Sequence, residues 1–106
     1  MPYSDLREFI ARLEEEREIV RVRAEVDARY EMGAICRRVL DQGGVEKNVA
    51  LFFEKPKGHT IPVAAGLLDS RPRYYLATGI PREDFWRTFM KKMKNPIAPC
   101  VVKQGA

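Results

Sequence analysis

Val49-Ala50-Leu51-Phe52-Phe53 is an unbroken apolar run in a chain of which 32% is charged. A strand with one wet face alternates apolar and polar residues, whereas a run that is apolar at every position needs cover on both faces. These five residues therefore predict a central strand, and with it a sheet carrying packed elements above and below. Upstream, Gly43-Gly44 closes a helical pattern in which Met32, Ile35, Cys36, Val39 and Leu40 form one inner face, and Asp27 is placed to cap its start. Cys36 lies on that face, where a small buried hydrophobe is the simplest reading. Further upstream, Val20, Val22, Ala24 and Val26 alternate with polar residues, which predicts a strand over 19–26 with one buried face. Leu6, Phe9, Ile10 and Leu13 recur at helical spacing, so a first helix is expected over 5–17, with Ser4 as its N-cap and Glu14–Glu16 as its solvated end.

Downstream of the central run, Lys55 to His59 reads as a turn. Ile61 to Leu68 reads as a further strand, with Pro62 near its start, where a missing N–H is tolerated. Ser70 is placed to cap a short helix ending near Gly79. Pro81 opens another helix, on which Phe85, Trp86, Phe89, Met90 and Met93 form an apolar stripe that predicts core packing. Asn95-Pro96 stops that helix, and residues 97–102 are extended. The expected fold class is α+β, a small mixed sheet of about three strands with about four helices, forming a single domain over residues 1–106.

The chain has 106 residues, the size of one domain. No apolar run approaches the roughly 20 residues of a membrane span, and MPYSDLREF is too polar for a signal peptide. The expectation is a cytoplasmic protein with no membrane association and with Cys36 and Cys100 reduced. Residues 1–70 carry 11 basic and 13 acidic side chains, while residues 71–106 carry 8 and 2. The basic late segment, with Tyr74 and Tyr75 interleaved, is the right chemistry for phosphate contact and base stacking. Arg71, Arg73, Arg87 and Lys91 are the anion-binding candidates. Without an RNA- or DNA-binding motif, nucleic acid is disfavoured, and an autonomous anion- or nucleic-acid-binding module using residues 71–94 stands as the alternative reading.

Catalytic chemistry is hard to find in this sequence. His59 is the single histidine and falls in a turn, and Ser4 and Ser70 sit where helix caps belong. Two cysteines 64 positions apart, with one histidine, do not make a zinc site. The carboxylates Glu14, Glu15, Glu16 and Glu18 crowd an exposed helix end, where solvated charge is the simpler reading. No catalytic, cofactor-binding or metal-binding residue is assigned.

In order along the chain, SDLREFIARLEEEREIVRV, EVD, AICRRVLDQGG, ALFFEKPKGHTIPVAAGLLDSRPR, ATGIPREDFW and KNPIAP together resemble the N-terminal domain of the UbiD family, the prenylated-FMN-dependent decarboxylases and carboxylases of aromatic and other unsaturated acids. Ala28 and Asp69 depart from the family pattern, affecting local backbone shape. The resemblance implies that the flavin-binding barrel, the Glu-Arg-Glu catalytic set and the metal ligands lie beyond the matched part. It therefore implies a non-catalytic small subunit in a hetero-oligomer, with prenylated FMN and a divalent metal held by a UbiD-like catalytic partner subunit. A split or truncated gene product and a reused binding domain are the rival explanations. The expected docking surface is Phe89, Met90, Met93, Pro96, Ile97, Val101 and Val102, apolar residues late in the chain where a following domain would attach.

Overall fold

The computed structural model describes residues 2–104, so the outer ends of the expected 1–106 domain lie outside the described residues. The order is α1 (Leu6–Glu15), β1 (Ile19–Val26), α2 (Glu31–Lys47), β2 (Ala50–Pro56), β3 (Val63–Ala65), α3 (Arg71–Thr78), a 3₁₀ turn (Arg82–Asp84) and α4 (Phe85–Lys94). The sheet order is β1-β2-β3, with β1 parallel and β3 antiparallel to β2. This is the expected α+β class with a mixed three-stranded sheet and four helices.

The strand read from Val49–Phe53 is central and covered on both sides. Successive β2 side chains alternate between two apolar clusters. Ala50 joins Phe9, Leu13 and Ile19, with Phe52, Leu76 and Ala77 packed around them, on the side of α1 and α3. Leu51 and Phe53 join Val26 and Met32, with Ile35, Cys36 and Val39, under α2.

Helix α1 starts one residue later than expected. Asp5 is the N-cap, its carboxylate accepting from the Glu8 N–H at 2.9 Å. Ser4 instead donates its N–H and hydroxyl to the Glu8 carboxylate, and these bonds hold the Glu8 carboxyl below its usual pKa. Just past the C-cap Glu16, Arg17 sits at φ 58°, a left-handed conformation normally left to glycine. That geometry lets the Arg17 N–H reach the Glu14 carbonyl at 3.1 Å and the Glu18 N–H reach the Leu13 carbonyl at 2.8 Å.

Two strand expectations are corrected. On β1 the pairing runs Ile19↔Ala50 to Val22↔Phe53, then slips by one residue to Glu25↔Lys55. The bulge breaks strict alternation, so Ala24 is exposed and Val26 buried; Val20, on an edge strand, is also exposed. The strand expected over 61–68 contracts to Val63–Ala65, because Pro62 has no N–H and Gly66, at φ 70°, turns the chain away. Asp27 does not cap α2 directly. Its carboxylate accepts from the Arg29 N–H and its carbonyl from the Met32 N–H, forming a turn that leads into a helix whose N-cap, Tyr30, makes no side-chain cap bond. Gly44 breaks the helical geometry of α2 as read, at φ 61°, and one further turn carries the chain to Lys47.

The α3 reading holds in detail. Ser70 accepts from the Arg73 N–H, and Gly79, left-handed at φ 70°, closes the helix. Arg73 itself is fully buried. Its guanidinium donates to the Asn48 carbonyl at 2.6 Å, to the Asn48 side-chain oxygen, and twice to the Gly66 carbonyl at 2.7 and 3.1 Å; Glu18 lies 3.4 Å away. Asn48 continues the network through its amide N–H groups to the Gly44 carbonyl and, at 2.8 Å, to the Asp69 carbonyl. No buried side-chain polar atom among the described residues lacks a partner. Arg73 was expected to bind an external anion. Its donors are instead engaged by internal acceptors and closed off from solvent.

Replacing Arg73 by Met leaves these carbonyls buried and unpaired, and should lower unfolding free energy by about 3–5 kcal/mol in urea titrations; a loss near zero would show that the network does not hold the fold. Arg17→Gly should raise stability by up to about 1 kcal/mol, read as a higher melting temperature, by relieving the left-handed arginine. Burial pushes the Cys36 thiol up from 9.0, whereas Cys100 is exposed in the tail. A folded pKa raised in this way stabilises the fold below the unfolded value and loses that contribution as pH rises through the folded value. Iodoacetamide at pH 8 should accordingly label Cys100 well before Cys36, as followed by peptide mass spectrometry.

Candidate docking surface

Helix α4 is anchored at its first residue. Phe85 is buried and meets Tyr74 and Tyr75 of α3 edge-on at 5.6 and 5.4 Å between ring centroids, and it stacks on Phe89 at 6.1 Å. Beyond that point α4 loses cover. Trp86 is 70% exposed, Met90 54% and Met93 64%. The expectation of core packing for this stripe is thus corrected: only Phe85 is buried, because no other element of the described chain lies over the outer face of α4. The tail after Asn95 has no regular structure, and Ile97 and Val101 are almost fully solvated.

The seven expected interface residues fall into two groups. Phe89, Met90 and Met93 share an apolar helix face with Trp86, a residue the interface reading omitted although its helical spacing was plain. Pro96, Ile97, Val101 and Val102 follow on the extended tail, continuous with that face in sequence but not packed on it. Leu68 and Tyr74 border the inner side of α4 and line, with Ile80, Phe85 and Phe89, an open groove of about 470 Å³; Leu68 was read only as the end of a strand.

The overall dimensions point the same way. The chain exposes 8651 Å², against about 6,100 Å² expected for a compact monomer of its mass. Its radius of gyration is 16.7 Å, against about 13 Å for a compact domain of this length. The excess of about 2,500 Å² comes from the extended, solvated tail after Asn95 as well as from the outer face of α4.

The cationic candidates do not converge. Arg71 pairs with Glu46 of α2 at 2.9 Å, and the same carboxylate lies 3.9 Å from Arg82. Arg73 is internal. Arg87 and Lys91 are exposed on α4 and make no ion pair among the described residues. Tyr74 and Tyr75, the proposed stacking aromatics, direct their rings at Phe85. His59 is exposed in the turn after β2, in a shallow depression with Glu25, Glu54 and Lys55.

A flavin needs an apolar slot with free donors for its phosphate, and a divalent metal needs convergent carboxylate or imidazole groups. The groove that joins guanidinium and aromatic groups here, lined by Arg71, Arg82, Tyr74, Tyr75 and Trp86, has its cations facing Glu46 and its tyrosines packed on Phe85. Among the described residues no three His, Cys, Asp or Glu side chains gather as metal ligands. No helix among the described residues is long and apolar enough to cross a membrane.

Known structures share this arrangement. The chain is similar to the vanillic acid decarboxylase ShVdcCD of Sedimentibacter hydroxybenzoicus in its closed form, at 31% identity and a TM-score of 0.78, over 95% of this chain and 22% of that one. It is similar to the same enzyme in an open form with truncated ShVdcD, at 32% identity and a TM-score of 0.77, over 94% and 22%. It is also similar to an evolved dimeric form of the UbiD-class enzyme HmfF of Pelotomaculum thermopropionicum in complex with prFMN, at 32% identity and a TM-score of 0.76, over 92% and 21%. The chain thus spans about a fifth of the length of the solved chains it matches. Residues 10–93 match the 3-octaprenyl-4-hydroxybenzoate carboxy-lyase N-terminal domain. With the sheet, the helices and most of the sequence accounted for by that match, the chain belongs to the UbiD N-terminal domain family.

Proposed function

We propose that this chain is a non-catalytic small subunit of a UbiD-like, prenylated-FMN-dependent (de)carboxylase of aromatic or unsaturated acids, docking on a separate catalytic subunit in the cytoplasm. The observation that carries this reading is the uncovered face of α4, where Trp86, Met90 and Met93 stand in water on a chain whose surface exceeds that of a compact monomer. The family match supplies the chemistry of the partner, since the relatives include a vanillic acid decarboxylase and a UbiD-class enzyme in complex with prFMN. In this reading the flavin and a divalent metal belong to the partner. The subunit's work is to bury its apolar face there and shape the approach to the active site.

An anion-binding role for residues 71–94 has weaker support. Arg73 is internal, Arg71 and Arg82 face Glu46, and both tyrosines pack inward.

The test is recovery of the complex. The tagged chain, purified from its native host, should bring down a flavoprotein in fixed ratio that carries prenylated FMN by mass spectrometry. Trp86→Ser with Met93→Ser should cut that recovery by about tenfold or more without altering the circular dichroism of the chain. Purification without any flavoprotein would overturn the reading.

A further inference from the structure

Glu46 joins three elements through a single carboxylate. It lies just past Gly44, whose φ of 61° and ψ of −166° fall in a region that essentially only glycine enters. That break sets off the separate last turn of α2, and Glu46 is carried on it. The Gly44 carbonyl accepts from the Asn48 amide, which ties this turn to the Arg73 network. At its exposed end the Glu46 carboxylate meets two guanidinium groups from different elements. Its Oε1 accepts from Arg71, the first residue of α3, at 2.9 Å. Its Oε2 lies 3.9 Å from Arg82, in the 3₁₀ turn that leads into α4.

Helix α4 has little else to hold it. Its ten residues fall short of the roughly 12–15 at which an isolated helix becomes even marginally stable in water. Asp84 at its N-cap makes no side-chain cap bond, and Phe85 is its one buried residue. A helix fixed at one ring can swing about that ring. A second attachment at Arg82, three residues earlier, removes that freedom.

We propose that Glu46 is a clasp: by engaging Arg71 and Arg82 together, it fastens the turn before α4 to the corner where α2 meets α3, and so keeps α4 ordered and its apolar face in a fixed direction. Arg71 is the fixed side of the clasp, because α3 is already held by the Ser70 cap and by the buried Arg73. Arg82 is the movable side. The carboxylate also offsets the repulsion between the two guanidinium groups, which face each other uncompensated once it is removed. All three side chains are exposed, so the clasp has the strength of a surface ion pair. That is small beside the stability of the whole fold but sufficient to matter for a short helix with one other anchor. The inference concerns the free chain and does not depend on a flavoprotein partner. It assigns control over the presentation of the α4 face to a residue of α2 that lies outside that face.

Amide hydrogen exchange on the full chain, resolved residue by residue by NMR, reads the local opening of α4. Glu46→Gln and Arg82→Gln should each speed exchange at Phe89 to Lys94 by about twofold to fivefold. The double variant should exchange no faster than Glu46→Gln alone, because either change opens the same clasp. Arg82→Lys keeps the charge and should stay near the wild-type rate. Exchange in α4 unmoved by either glutamine substitution would overturn the proposal. So would single effects that multiply in the double variant, or an Arg82→Lys variant as fast as Arg82→Gln.

Discussion

The fold depends on one buried cation. Arg73 projects from α3 into a site with no solvent, where a guanidinium is stable only if oxygen acceptors surround it. Those acceptors come from three separate junctions: Glu18 between α1 and β1, Asn48 between α2 and β2, and Gly66 just after β3. Burial lowers the pKa of Arg73 and the nearby Glu18 carboxylate opposes that shift, but the geometry is set mainly by neutral carbonyls. A planar fork of donors suits this task better than the point charge of a lysine. Because the three junctions meet at one residue, the sheet order, the early turn at Gly66 and the placement of α3 form one coupled arrangement. Gly43 belongs to it as well: a Cβ there would fall 2.5 Å from the Asn48 backbone nitrogen, so the absence of a side chain lets Asn48 turn inward.

This polar hub sits beside a small apolar interior. The two clusters on either face of β2 contain few fully buried side chains, and they end where Phe85 docks on Tyr74 and Tyr75. From that residue onward the chain gains no further cover from its own elements. Burial therefore runs from the hub outward and stops at the base of α4. The last helix is held by basic residues near its C-terminal end, by the Asn95 amide donating to the Lys91 carbonyl and by the anchor at Phe85, without burial of its outer face.

How much of this was legible in the sequence depended on whether the relevant physics was local. Val49–Phe53 announced a two-sided strand because apolar residues at consecutive positions have no solvent-facing reading. Ser70 and Gly79 announced the ends of α3 because each supplies a specific backbone bond within a few residues. The bulge in β1 was not legible, since it arises from the pairing of Val22 and Glu25 with β2, and nothing within residues 19–26 marks it. Arg73 was the sharpest misreading. Among neighbouring arginines in a basic stretch its type and spacing look like those of Arg71, and only the arrival of Asn48 and Gly66 from distant segments makes it internal. Asp5 displaced Ser4 as the cap of α1 because both residues satisfy the same local rule, and the choice between them lies in one residue of helix phase.

The stripe on α4 shows where periodicity runs out as a source of inference. Apolar residues at helical spacing state that a helix has a face to bury. They do not state whether the burying surface belongs to the same chain. Here the resolving signal was the imbalance of the rest of the molecule: a sheet already covered on both sides by α1, α2 and α3 has no face left for a fourth helix to fill. Counting sheet faces against amphipathic helices could have indicated from sequence that α4 was surplus to the core. That surplus makes α4 a surface for association, because a helix whose apolar side has no place in its own core lowers its free energy by meeting another surface.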